Sequence, residues 1–212
     1  WGAVCIEESL AQEAYNSLKR AVELAPENPY YNYALGSVAV QRTDASEAIP
    51  YFQKYCELRP DDPSGRLALG AAFAESYDYE KARVELTEAA RNPKTAGGAH
   101  FYLGRVANQT GDLGGAVREL RIALETHPNA PEIHAELGST YVKLKNYPEA
   151  GKALEKALEL RPESYTANLN LMILYQRTKD PRAKEQSERF QQIRENWDKS
   201  KMEMLRTVQV QP

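Results

Sequence analysis

Groups able to do chemistry are scarce in this chain of 212 residues. Its two cysteines, Cys5 and Cys56, are too few for a disulfide framework and read as reduced, unreactive thiols. No apolar run approaches the ~18 residues of a membrane span. The net charge is −3, from 27 basic and 30 acidic residues of mixed order, so the basic stripe expected of a nucleic-acid footprint is missing. There is no P-loop, no G-x-G-x-x-G after a strand, no G-x-S-x-G, no H-E-x-x-H and no paired C-x-x-C. Only three histidines occur, and His100 and His134 have neither a cysteine nor a third histidine nearby to complete a zinc site. They read instead as half-buried rings, and His127, before Pro128, as a cation at a helix end. The carboxylate pairs Glu7-Glu8 and Asp61-Asp62 read as solvated turn residues, with Asp61-Asp62-Pro63 forming a helix cap and first turn. No catalytic residues, cofactor or metal are expected, and the chain does not read as an enzyme in its own right.

What the sequence has is a period. Leu35-Gly36 recurs as Leu69-Gly70, Leu103-Gly104 and Leu137-Gly138, always 34 residues apart, with Trp1-Gly2 before and Leu171-Met172 after. Twelve residues past each Gly stands Ala14, Ala48, Ala82, Ala116 or Ala150. Four further on come Leu18, Phe52, Leu86, Leu120 and Leu154, and then Ala21, Tyr55, Ala89, Ala123 and Ala157. Pro26, Pro60, Pro128 and Pro162 close their units, and only Pro93 is displaced by one place.

A fixed period of this size marks an array of one supersecondary unit rather than a single central core. Each unit reads as two helices, A and B, from the apolar spacing of Leu35, Val38 and Ala39 and then of Ala48, Phe52, Tyr55 and Leu58. Glycine inside a helix costs about 1 kcal/mol relative to alanine. Repeating that cost at one place implies a close approach of helix axes there, with the large residue of helix B filling the gap beside it. The closing proline cannot continue helix B and sends the chain into the next helix A.

The pattern W-x2-L-G-x2-Y…A-x3-F…P resembles the tetratricopeptide family over nearly the whole chain. The resemblance implies an all-α, right-handed α-α superhelical solenoid of helix pairs with a C-terminal capping helix. The expected division is a truncated unit at 1–28, full units at 29–62, 63–96, 97–130 and 131–164, a degenerate unit with capping helices at 165–205, and an extended tail at 206–212. Trp1 already occupies the Leu place of the pattern, so the chain reads as a piece of a longer protein. Near the other end, Phe190, Ile193 and Trp197 give one narrow apolar face on an otherwise polar helix. Arg91 to Gly98 lacks the apolar residue found at other junctions, has Asn92 in its place, and is expected to flex.

The family resemblance also implies a function: a non-catalytic scaffold whose A helices line a concave groove that holds a peptide or protein segment. The columns facing such a groove supply Tyr30; Tyr33, Leu67, Phe101 and Ala135; Ser37, Ala71, Arg105 and Ser139; and Asn108 and Val142. Tyr30, Tyr33, Phe101 and Arg105 are the expected anchors, since Tyr and Arg dominate recognition surfaces. The competing reading packs Tyr30 and Tyr33 against the preceding unit and pairs Arg105 with an acid such as Glu136.

Two family specialisations do not fit. The carboxylate clamp for heat-shock chaperones would need basic residues where Tyr33, Ser37, Ala68, Gly98 and Tyr102 stand. The asparagine ladder of O-GlcNAc transferase arrays would fall on Ala34, Ala68, Tyr102, Glu136 and Asn170, and only the last matches. The expected partner is therefore a protein segment of apolar or aromatic character, with neither nucleic acid nor a membrane span involved. The alternative is a structural module that packs on the rest of its parent or self-associates through its ends.

Overall fold

The computed structural model describes residues 2–42 and 45–208, with side chains over 12–42 and 45–199. Among the described residues there are eleven helices and no strand. They are α1 (Gly2–Leu24), α2 (Pro29–Gln41), α3 (Ala45–Leu58), α4 (Pro63–Glu75), α5 (Tyr79–Ala89), α6 (Ala96–Thr110), α7 (Leu113–Thr126), α8 (Pro131–Lys143), α9 (Tyr147–Leu160), α10 (Tyr165–Thr178) and α11 (Ala183–Val208). The chain divides into two compact units, Trp1–Val106 and Ala107–Pro212.

In the first unit α2 pairs with α3, and α4 with α5, through short turns. The glycine notch is there in atomic detail. A Cβ on Gly36 would lie 2.8 Å from the Phe52 ring, and one on Gly70 would lie 2.7 Å from Leu86 Cγ. No real side chain tolerates such contacts, so these places need a residue without a Cβ. Phe52 and Leu86 are buried with Leu35, Leu69, Phe73, Ala48 and Ala82 in the core of this unit. In the second unit Gly138 does the same work. Its Cβ would meet Leu154 Cδ2 at 2.6 Å, and Leu154 is buried with Leu120, Leu137, Leu171 and Leu174.

The turn from helix A to helix B follows a second 34-residue period that the Leu-Gly pattern does not reveal. Tyr77 (φ 66°), Gly111 (φ 87°), Lys145 (φ 58°) and Lys179 (φ 56°) all adopt left-handed backbone. Each is followed by Asp78, Asp112, Asn146 or Asp180. Asp78 accepts from Lys81 N at 3.3 Å, Asp112 from Gly115 N at 2.8 Å, and Asp180 from Arg182 N at 2.9 Å. The left-handed residue ends helix A, and the acid that follows caps the start of helix B.

That period corrects the reading of the first residues. Glu7 and Glu8, expected in a turn, lie on the unbroken helix α1. Counting back 34 residues from Asp44 reaches Leu10, which cannot cap, and Ile6-Glu7-Glu8-Ser9-Leu10 holds no glycine or asparagine to leave the helix. At the other end α11 runs through Val208, so 206–208 are helical rather than extended. A lone extended tail has no strand to satisfy its backbone, whereas a helix satisfies its own. The rest of the expected tail, Trp1 and the Cys5 side chain lie outside the described residues.

The junction expected to be soft is closely hydrogen-bonded. Asn92 accepts from Lys94 N through Oδ1 at 3.0 Å and from Ala96 N through its carbonyl at 2.9 Å. The buried Thr95 hydroxyl donates to the Ala89 carbonyl at 2.6 Å. Asn92 is the hub of this turn, because a short amide side chain can mimic a backbone turn.

Helix α11 docks on α10 much as a capping helix should. Phe190 is buried against Tyr165 with ring centroids 5.1 Å apart. The link that composition did not point to is Gln186, buried, whose Nε2 donates to Asn168 Oδ1 at 3.0 Å and to its carbonyl at 3.1 Å.

Candidate functional site

The A helices α2, α4 and the first part of α6 carry the first unit's candidate residues. Tyr30 is 64% exposed on the first turn of α2, where Asn28 caps the helix by accepting from Tyr30 N at 3.0 Å. Its ring lies 5.9 Å from the Arg59 guanidinium, which donates to the Tyr30 hydroxyl at 3.2 Å. Tyr33 is half-buried against its own helix B, with ring centroids 5.6 Å from Phe52 and 4.9 Å from Tyr55. Desolvation, helped by the Asp62 carboxylate, raises its hydroxyl pKa. Tyr33 is thus mainly a packing residue. Ser37 is half-buried and returns its hydroxyl to the Tyr33 carbonyl at 2.8 Å.

Leu67 is half-buried beside α6, where a Cβ on Gly98 would lie 3.1 Å from Leu67 Cδ2, and Ala71 is half-buried one turn further along α4. Phe101 and Arg105 follow on α6. Phe101 packs edge-on to Tyr102 at 5.2 Å, and the Arg105 guanidinium stands 5.8 Å and 5.6 Å from the two rings. Arg105 pairs with Glu75 of α4. Burial raises the Tyr102 hydroxyl pKa, Glu75 adds to the rise and Arg105 opposes it. The result is a shelf with an aromatic edge, an aliphatic floor at Leu67 and Ala71, and one cation held in place.

The second unit's candidates look different. Ala135 and Val142 are buried and offer no side-chain surface, because α8 is enclosed along most of its length. Asn108 is buried too, and its carboxamide is fully used. Nδ2 donates to Glu136 Oε1 at 2.6 Å, and Oδ1 accepts from Lys143 Nζ at 2.6 Å. Ser139 is half-buried and remains accessible.

One set of residues escaped sequence reasoning although its period was visible. Asn32, His134 and Asn168 stand three places before the Leu of their units. Asn32 Nδ2 donates to the Pro26 carbonyl at 2.9 Å, His134 Nε2 to the Pro128 carbonyl at 2.8 Å and Asn168 Nδ2 to the Pro162 carbonyl at 3.0 Å. Each donor satisfies the closing proline's carbonyl, which the end of helix B leaves without a partner. His134 has a structural task, since a carbonyl acceptor fixes its Nε2 as the protonated nitrogen. Burial pushes the free Cys56 thiol up to about 11, which keeps it unreactive.

Among the described residues no group of three His, Cys, Asp or Glu side chains could hold a metal, and no helix is long and apolar enough to cross a membrane. Helix pairs in register define a scaffold built of repeats. The Tetratricopeptide repeat family model matches residues 10–63, 67–131 and 110–165, and the chain belongs to that family. Proteins of this kind generally serve as non-catalytic scaffolds.

The chain is 38% identical over 55 residues to a protein O-mannosyl-transferase of Caenorhabditis elegans. That stretch is 26% of this chain and 8% of the transferase. Among solved structures, the human IFIT1 dimer with m7Gppp-AAAA is similar at a TM-score of 0.70 and 19% identity, over 85% of this chain and 46% of IFIT1. YrrB, described as a tetratricopeptide protein with an unusual peptide-binding site, is similar at 0.59 and 19% identity, over 85% of this chain and 93% of YrrB. The chain therefore spans less than half of IFIT1 and a small part of the transferase.

Proposed function

We propose that the first unit binds an extended segment of another protein across α2, α4 and α6, with no catalytic step. The observation that supports this best is the shelf on α4 and α6. Phe101 and Arg105 are held in fixed positions by Tyr102 and Glu75 but keep part of their surface open beside Leu67 and Ala71. Preorganised aromatic and arginine side chains lose little entropy on binding and so make effective anchors. Tyr30 adds an exposed ring at the α2 end. The partner that suits this surface has apolar or aromatic side chains at intervals and a carbonyl or carboxylate for Arg105. The peptide site attributed to YrrB supports the reading by fold analogy alone.

A second reading has one observation in its favour. Trp197 keeps 54% of its surface exposed on α11 beside Tyr165, with ring centroids 5.8 Å apart, so α11 would pack on the parent protein or another copy. Variants separate the two. Phe101→Ala with Arg105→Ala is expected to leave helical content intact and to weaken partner binding in a pull-down by at least about tenfold, as expected for loss of central anchors. Binding unchanged by that pair but lost with Trp197→Ala would reject the peptide-shelf reading in favour of packing through α11.

A further inference from the structure

The second unit carries a cationic edge at the ends of its A helices. Lys143 ends α8, Arg177 lies in the last turn of α10, and Lys145 and Lys179 occupy the turns that follow these helices. All four are exposed. The Arg177 guanidinium donates to the Val142 carbonyl at 3.3 Å, which brings it beside Lys143. Leu144, 43% exposed, sits between the two lysines of the α8 turn.

Three of the neighbouring acids are paired with other cations. Glu149 pairs with Lys152 at 2.7 Å, and Asp180 pairs with Arg182 at 2.8 Å. Glu155 reaches Arg182 at 3.6 Å, and Glu136 is bridged to Lys143 only through the neutral carboxamide of Asn108, so one carboxylate set against four cations leaves the edge positive. Lys143 Nζ touches only the neutral carboxamide of Asn108. None of the four cations stands in an ion pair.

Helix ends favour cations, which accounts for Lys143 and Arg177 without a partner. It does not account for Lys145 and Lys179. Both hold left-handed backbone, at φ 58° and 56°, where the equivalent turn has Gly111 and where glycine is unstrained. A strained lysine, used twice at one register, gives the fold nothing that glycine would not. In the first unit the corresponding places hold Glu75 and Tyr77, so the charge is not a feature of the repeat.

We propose that this edge of the second unit docks an acidic protein segment, with carboxylates against Lys143, Lys145, Arg177 and Lys179 and an apolar side chain against Leu144. Uncompensated charge on one face steers and orients a partner of opposite sign. A protein segment fits better than a nucleic acid. Unpaired bases need exposed aromatic faces to stack on, whereas Tyr141 and Tyr175 on these two helices are buried and the exposed apolar group is aliphatic. The site is independent of the peptide shelf on the first unit.

Fluorescence anisotropy of labelled decaglutamate with the whole chain tests this, with decalysine and decaadenylate as comparison probes. Decaglutamate is expected to bind best and to weaken by about tenfold or more as NaCl rises from about 50 mM to about 500 mM. Lys145→Gly with Lys179→Gly suits the left-handed turns and is expected to keep the circular-dichroism spectrum while weakening decaglutamate binding by about tenfold. Phe101→Ala with Arg105→Ala is expected to leave that binding unchanged. No decaglutamate binding, tighter binding of decaadenylate, full binding by the double-glycine variant, or equal loss in the Phe101/Arg105 variant would each overturn the proposal.

Discussion

The two compact units share a backbone plan and differ in what they show to solvent. In the first, Gly36 and Gly70 receive Phe52 and Leu86; in the second, Gly138 receives Leu154 in the same geometry. The A helices of the first unit carry Tyr30, Tyr33, Phe101 and Tyr102, with Arg105 tied to Glu75. At the A-helix ends of the second unit stand Lys143, Lys145, Arg177 and Lys179, with no ion pair among them. The period constrains residues that touch a neighbouring helix axis. Positions that face water are released from it, so one scaffold carries an aromatic shelf in one region and a charged edge in the other.

That comparison breaks if the notches are not equivalent. Leu86→Ala and Leu154→Ala should each destabilise by about 2–5 kcal/mol in urea titration, because each empties a buried site that the facing glycine cannot fill. A loss confined to one of them would mean that the units do not share their packing logic.

Filling the notch is expected to cost less. Gly70→Leu and Gly138→Leu should each lower stability by about 1–3 kcal/mol, with a matching fall in melting temperature. An unchanged melting temperature in either variant would show that the helices there have room to spare.

The closing-proline donors sharpen the comparison further. Asn168→Leu removes a donor to the Pro162 carbonyl and the side-chain acceptor of the buried Gln186 amide together, leaving Arg189 on Pro162 and the Asn168 backbone carbonyl for Gln186, so a loss of about 1–3 kcal/mol is expected. Asn32→Leu removes only the side-chain bonds to the Pro26 and Asn28 carbonyls, the second of which keeps the backbone N–H of residue 32, and should cost less. Equal losses would mean that Gln186 adds nothing to the docking of α11.

The smallest effect is on acid stability. The Tyr55 hydroxyl and then Ser64 N–H hold the Asp62 carboxyl below its usual value, and Arg182 holds Asp180 down to about 2. A carboxyl whose pKa is depressed by folding stabilises above its unfolded value and loses that contribution as pH falls through its folded value. Melting temperature should therefore decline between about pH 4 and pH 2. Asp62→Asn and Asp180→Asn should each flatten the decline. A variant whose acid profile matches that of the parent would show that its carboxylate bonds are too exposed to matter.

The helices, their pairing and the glycine notches were legible in the sequence because they depend on volume at a fixed spacing, and a residue type states its volume. The left-handed turns follow a period that the Leu-Gly pattern did not point to, with caps at Asp78, Asp112 and Asp180, while Asn146 stands at the same interval without a side-chain cap bond. Leu10, the one place where that interval lacks such a residue, explains why α1 does not break at Glu7 and Glu8. The candidate site was less legible. Arg105 pairs with Glu75, 30 residues back, and this depends on which helices lie side by side. Ala135 and Val142 share columns with exposed residues, and only the enclosure of α8 buries them.

By itself, then, the sequence determined that this is a repeat array, and which small residues face which large ones, because these follow from local backbone preference and side-chain size. The tertiary structure alone decided which polar groups meet: Asn and His on the closing prolines, Gln186 on Asn168, Arg105 on Glu75, and four cations outside any ion pair. Hydrogen bonds and charges act between atoms brought together by the packing of distant segments, and a one-dimensional period carries no distance between those atoms.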